Sequence, residues 1–285
     1  MKNAGPLTFL KRFYQEAPVR SGSRYEVYTV HFASRRARSW ELFLNEHLYG
    51  EPERALDLEY FFWVIRGEER IVLVDTGFTR DVAAMRHRDF HRSVESALED
   101  LDLRAADVTD IIITHAHWDH TGNLGLFPQA QVYIAAPEYD FWRSPYAERT
   151  QVAHAAHQPD IELLSSIAEE GRLHRVPAKH TLVPGIAMCT VGGHTPGQLV
   201  VSVHGVKNPV LLTSDAVHLL EEIDADRPFA VLTDLLRMYD AYDLIDELRA
   251  SVQDLAVVPG HDPQVFDGFA RVNSADTVAG TYRVG

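Results

Sequence analysis

The sequence has almost no cysteine, no long apolar run and no excess of positive charge. Cys189 is the only cysteine in 285 residues, so an internal disulfide framework is excluded. Four-cysteine zinc fingers and iron–sulfur clusters held by the chain's own thiolates are excluded with it. Cys189 lies in a predicted strand shortly before His194 and reads as a packing residue. No apolar segment approaches the ~20 residues needed to span a bilayer, so no membrane partner is expected. Met1–Arg20 lacks the apolar stretch of a signal peptide, and the chain reads as reduced, soluble and cytoplasmic. Lys and Arg total 27 against 41 Asp and Glu, a formal charge of −14. Non-specific nucleic-acid binding needs the opposite sign, so no nucleic-acid partner is expected.

What the chain does have is histidine, 15 in all, within an ordinary globular composition of 46% hydrophobic and 24% charged residues. No repeat, low-complexity block or long linker divides it. The simplest organisation is one domain over 1–285, with 1–24 as an N-terminal arm that turns at Ser21-Gly22-Ser23. Strands are expected at Tyr25–Phe32, Leu58–Ile65, Ile71–Val74, Asp110–Thr114, Val132–Ala135, Ile186–Val191, Leu199–Val203, Val210–Leu212 and Ala256–Val258. Helices are expected at Asp81–Leu101, from Pro137 to Trp142, at Ile161–Glu170 closed by Gly171, and at Tyr239–Val252. Residues 33–57 show no pattern. Helices interspersed among clusters of strands favour a layered α/β arrangement.

Histidine concentrates in Thr114-His115-Ala116-His117-Trp118-Asp119-His120, directly after the buried strand Ile111-Ile112-Ile113. In extended chain His115 and His117 point to the same side. A turn after them lets Asp119 and His120 face back to the same cavity. Imidazoles suit zinc and similar ions, and a carboxylate adds a hard, charged ligand. Two imidazoles and one more distant ligand can hold one metal, and Asp119 with His120 begins a second site. Further candidates stand at strand ends beside small residues: His194 after Gly192-Gly193, Asp215 in Ser214-Asp215-Ala216, and His261 after Pro259-Gly260. Glycine there allows close backbone approach.

The HxHxDH run, followed in order by Gly-His, Ser-Asp-Ala and Pro-Gly-His, resembles the metallo-β-lactamase superfamily, and most of all its N-acyl-homoserine lactonase group. The match runs from about Leu58 to His261. The resemblance implies an αββα sandwich, two face-to-face β-sheets with helices outside. It implies that His115, His117 and His194 hold one metal and Asp119, His120 and His261 a second, with Asp215 bridging. The cofactor is then two divalent ions, zinc being expected. Asp75, in Asp75-Thr76-Gly77, matches a position that supports the ligand loop from behind. A hydroxide bridging two such ions would attack an ester-like carbonyl, with Asp119 relaying the proton. No Gly-x-Ser-x-Gly elbow is present, and none is required.

The implied activity is opening of a small-molecule lactone, with quorum quenching as the associated role and a homodimer left open. One departure bears on the substrate. Where homoserine lactonases carry a tyrosine three residues after the bridging aspartate, this chain has His218, an electrophile or general acid in its place. Thioester hydrolases share the ligands, but their basic, helical C-terminal region has no counterpart in Asp262–Gly285, where only Arg271 and Arg283 are basic. Mononuclear-iron sulfur dioxygenases share HxHxDH and remain the oxidoreductase alternative. Trp118 lines the pocket or packs its loop. The segments 136–160 and 218–240 offer aromatic walls (Tyr139, Phe141, Trp142, Phe229), and Arg143 and Arg149 are candidates for holding a carboxylate.

Overall fold

A computed structural model describes residues 5–16, 24–273 and 278–285; the expected Ser21-Gly22-Ser23 turn lies outside the described residues. The strands are β1 (Glu26–Arg38), β2 (Ala55–Arg66), β3 (Ile71–Val74), β4 (Asp89–Phe90), β5 (Asp110–Ile113), β6 (Gln131–Ala135), β7 (Leu173–Val176), β8 (Lys179–Val183), β9 (Ile186–Thr190), β10 (Leu199–His204), β11 (Pro209–Ser214), β12 (Ala256–Pro259), β13 (Ala270–Arg271) and β14 (Thr281–Arg283). They form two sheets. One runs β13-β14-β1-β2-β3-β5-β6-β7 with β4 on β1, and the other runs β12-β11-β10-β9-β8.

Alternation along the strands explains the layering. In β2, Phe61, Trp63 and Ile65 pack against Val201, Val203, Val210 and Leu212 of the other sheet. The intervening Tyr60, Phe62 and Val64 join the cluster under the outer helices, which includes Val94, Leu98, Ile161 and Leu164. The second sheet repeats the arrangement. Cys189, Val200 and Leu211 pack with Leu10 from the helix Pro6–Gln15 and Met238, Ile245 and Leu248 from the helix Leu235–Ser251. Two faces buried on each sheet give the αββα sandwich that the resemblance implies. Cys189 is a fully buried packing residue of this outer layer. Among the described residues no helix is long and apolar enough to cross a membrane.

Three differences from the sequence reading matter. The segment read as an arm contributes the helix Pro6–Gln15, whose Leu10 is fully buried. Residues 33–57 continue β1 to Arg38, turn through a short helix at Ser39–Leu42 and enter β2 at Ala55. The helix expected over Asp81–Leu101 is two short helices, Arg80–Met85 and Val94–Glu99, separated by β4. Thr79 and Ser93 each cap a helix by accepting a backbone N–H, from Val82 and Ser96. His87 takes a left-handed φ of 54°, and Ala33 and Ser34 of β1 pair with β4 in the gap. Tertiary strand pairing overrides an apolar period that is helical only in outline.

Candidate metal centre

Parallel pairing of β3 with β5 and of β11 with β12 sets their C-terminal ends level. Asp75 follows β3, His115 follows β5, Asp215 follows β11 and His261 ends the short run after β12. The loop after β9 adds His194. Two close approaches make this possible. A Cβ on Gly193 would stand 2.7 Å from the backbone nitrogen of Met238, and one on Gly260 would stand 2.7 Å from the Asp215 carboxylate. Gly193 also needs its φ of 91°. Asp75 (φ 61°) and Ser214 (φ 46°) adopt the left-handed conformation without being glycine. Strain of this kind persists where the surrounding structure enforces it, and it clusters at working sites.

All seven expected ligand residues converge. His115, His117, His194 and Asp215 form one set and Asp119, His120, Asp215 and His261 another, with the ligand atoms of each set all within 4.8 Å of one another. Asp215 divides its oxygens between them. Oδ2 lies 3.7 Å from His115 Nε2 and 3.4 Å from His194 Nε2. Oδ1 lies 3.3 Å from His120 Nε2 and 3.1 Å from His261 Nε2. His117 presents Nδ1, 2.8 Å from His194 Nε2. Asp119 contributes from the rim, 3.8 Å from His120 Nε2 and 3.9 Å from His261 Nε2.

The rings are aimed by what their other nitrogens touch. His120 Nδ1 lies 2.7 Å from the Asp75 carboxylate, His194 Nδ1 2.8 Å from the Val231 carbonyl, and His261 Nδ1 2.7 Å from the Glu59 carbonyl. In the neutral ring each contact leaves Nε2 as the free lone pair. Asp75 also accepts from the backbone N–H and the hydroxyl of Thr114, which fixes the start of the ligand loop.

The donor set fits divalent cations. His115 Nε2 and His120 Nε2 are buried without a hydrogen-bond partner, which is costly for a polar atom unless something else binds it. Burial holds His115 and His194 well below the ordinary imidazole range and His117 down at about 3, so these rings are neutral and able to ligate. Burial alone would raise Asp215, but His261, His120 and His218 outweigh it and keep the carboxylate ionised. Burial likewise opposes charge on His120, yet Asp215 and Asp75 push it well above its ordinary value. Converging carboxylates in a buried pocket demand positive charge.

His218 belongs to the same cavity. Its Nε2 lies 3.1 Å from Asp215 Oδ2 and its Nδ1 3.2 Å from Glu222. The ring stacks on Phe229 with centroids 3.6 Å apart. Burial would lower its pKa, but the carboxylates of Asp215 and Glu222 push it up to about 9. Trp118, left open by the sequence, both lines the cavity and packs Phe78. Phe229 and Val231 also line it. Arg143 does not; it donates to Ser165 at the surface, and Arg149 is exposed. The arginines that reach the cavity are Arg35, Arg86 and Arg88. The last two arrive there because the chain breaks its helix after Met85.

Two carboxylates that the sequence reading missed organise the loops. Glu138, fully buried, accepts from the backbone N–H of Ala116 at 2.9 Å and of Gly197 at 2.9 Å, and from the Trp142 indole at 2.7 Å. Glu222, also fully buried, accepts from the backbone N–H groups of His218 and Leu219 and from the Tyr242 hydroxyl. For Glu138 the backbone partners lie in two other loops, of Ala116 and Gly197; for Glu222 they are the near neighbours His218 and Leu219, with Tyr242 arriving from the helix Leu235–Ser251.

Comparison with known proteins agrees with this architecture. The metallo-beta-lactamase superfamily profile matches residues 58–261. An N-acyl homoserine lactonase of a Bacillus species is 26% identical over 195 residues, 63% of this chain and 72% of that protein. A probable metallo-hydrolase of Mycobacterium tuberculosis is 28% identical over 236 residues, 71% and 74% of the two chains. Among solved structures, a quorum-quenching N-acyl homoserine lactone lactonase superposes with a TM-score of 0.70 at 21% identity, covering 86% of this chain and 95% of that one. The dizinc lactonase AidC, in complex with a product, superposes at 0.68 with 18% identity over 93% and 95%. The family profile covers most of the chain, from the start of β2's apolar run to the last expected ligand, and the chain belongs to the metallo-beta-lactamase superfamily.

Proposed function

We propose that the protein is a single-domain, cytoplasmic dinuclear metal hydrolase that opens the ester bond of a lactone. The observation that carries the reading is the Asp215 carboxylate, which turns one oxygen to each of two ligand sets. His115, His117 and His194 would hold one ion, Asp119, His120 and His261 the other, with Asp215 between them. When bound, two divalent cations, zinc by this reading, supply Lewis acidity and make water nucleophilic near neutral pH. Asp119, at the rim with 11% of its side chain exposed, takes the proton from water and returns it to the leaving alkoxide. His218 faces the reacting carbonyl through Nε2. Because Nδ1 points at Glu222, donation from Nε2 requires the protonated ring, which the Glu222 carboxylate favours. Phe229 holds that ring flat, and Trp118 with Ala155 walls the cavity against water.

The test is elemental analysis together with a pH-indicator screen over lactones, esters and thioesters. About two zinc-like ions per chain and turnover of lactones, lost in Asp119→Ala and reduced by on the order of 10²-fold in His218→Phe, are expected. One iron per chain, or turnover confined to thioesters, would overturn the reading.

Asp75→Ala tests the support behind the ligand loop. It removes the carboxylate that orients His120 and is expected to weaken metal affinity by roughly 10–100-fold, read by competition with a chelating dye. Unchanged affinity would show that Asp75 serves only the Thr114 turn.

A further inference from the structure

Among the described residues most arginines pair with a carboxylate, in a chain where acidic residues outnumber basic ones by 41 to 27. Arg35, on the cavity wall, is paired with Glu41. Arg86 and Arg88 on the same wall are not. Arg86 donates to the carbonyls of His154 at 2.8 Å and Ala156 at 3.0 Å, while its Nε is buried with no partner. Arg88 donates to the Tyr60 hydroxyl at 2.7 Å and to the Arg86 and His87 carbonyls. Every one of these acceptors is neutral. Asp119 and Asp160 act on Arg86 only from beyond hydrogen-bond reach; Asp119 belongs to the ligand set, and Asp160 lies 3.1 Å from His157. Both guanidinium carbons sit against one ring, 4.6 and 5.4 Å from the Trp118 centroid.

Two like charges sharing one aromatic ring repel each other and lose solvation, and the ring offsets only part of that cost. A planar anion accepting from both would remove the repulsion and fill the vacant N–H directions. Trp118 adjoins Asp119, so such an anion would sit beside the ligand sets. The cavity holds about 210 Å³, less than the roughly 300–1,000 Å³ of sites for drug-sized molecules, and suits a compact ligand over one with a long chain. We infer that Arg86 and Arg88 bind a carboxylate on the substrate, so that the substrate class is a small lactone bearing an acidic group remote from the scissile ester. The lactone part of this statement rests on the hydrolase reading above; the anion site does not.

The test therefore measures binding as well as turnover. In calorimetric titrations of the metal-loaded protein, succinate, glutarate and adipate are compared with butyrate, pentanoate and hexanoate. Both series offer one carboxylate to the metals, and only the first has a second for the arginines. The best diacid is expected to bind at least about 10-fold more tightly than its monoacid, with most of that gain lost in Arg88→Met and part regained in Arg88→Lys. A folded Arg88→Met, checked by circular dichroism, keeps the comparison interpretable; Arg86→Gln is the second variant. Turnover of a carboxylate-bearing lactone over its methyl ester should show the same preference, expressed in KM, and Arg88→Met should collapse it. Equal binding of diacids and monoacids, or a gain that survives both substitutions, overturns the anion site. Inert lactones alongside a diacid gain would overturn the lactonase reading alone.

Discussion

Asp215→Asn is expected to strip metal from both proposed positions and to cut kcat/KM on any ester substrate by on the order of 10³-fold, beyond the roughly 10–100-fold of an outer carboxylate. The substitution keeps the side chain's shape. It removes the negative charge that faces His115, His194, His120, His261 and His218 at 3.1–3.7 Å. One carboxylate oxygen becomes an amide nitrogen, which donates where a cation needs a lone pair. Either ligand set then retains an acceptor only at the other's expense. Elemental analysis should fall well below two ions per chain while circular dichroism stays native. Two ions retained, with a rate within about tenfold of the parent, would show that Asp215 does not join the sets.

Glu138→Ala should produce the largest loss of stability among the residues behind the site. Three buried donors, the N–H groups of Ala116 and Gly197 and the Trp142 indole, converge on that carboxylate. Each donor left unsatisfied costs about 1–3 kcal/mol, and recovered solvation of the carboxylate offsets part of the sum. A net loss of about 3–5 kcal/mol is expected, or a fall in Tm of roughly 10 °C by calorimetry. Because Glu138 ties the loop of His115–His120 to the loop of His194, metal content should fall too. Glu138→Gln keeps one acceptor oxygen and should lie between the two. A Tm shift below about 2 °C with full metal content would mean that the loops hold without Glu138.

The convergence of the run His115–His120 was legible because its chemistry is local. Four ligand-type residues within six positions after an apolar strand restrict the geometry before any tertiary contact forms. His194, Asp215 and His261 were legible through small residues at strand ends, and the close approaches at Gly193 and Gly260 give the physical reason. The nine expected strands were legible as apolar runs because the sandwich buries both faces of its central strands, whereas β4, β7, β8, β13 and β14, short or partly exposed, carry no such run and were not read. The helix over Asp81–Leu101 was misread because Val82, Val94 and Leu98 keep a helical period while the chain between them pairs with β1. That misreading also hid Arg86 and Arg88.

By itself, then, the sequence determined the layered α/β class, the run from His115 to His120 and the order of the later ligand candidates, all of which follow from short-range spacing and side-chain chemistry. Only the tertiary structure decided which oxygen of Asp215 faces which set, that Glu138 and Glu222 brace the loops, and which arginines look into the cavity. Those facts join residues far apart in the chain, Ala116 with Glu138 and Gly197 or Arg88 with Trp118, and no pattern within a single segment encodes them.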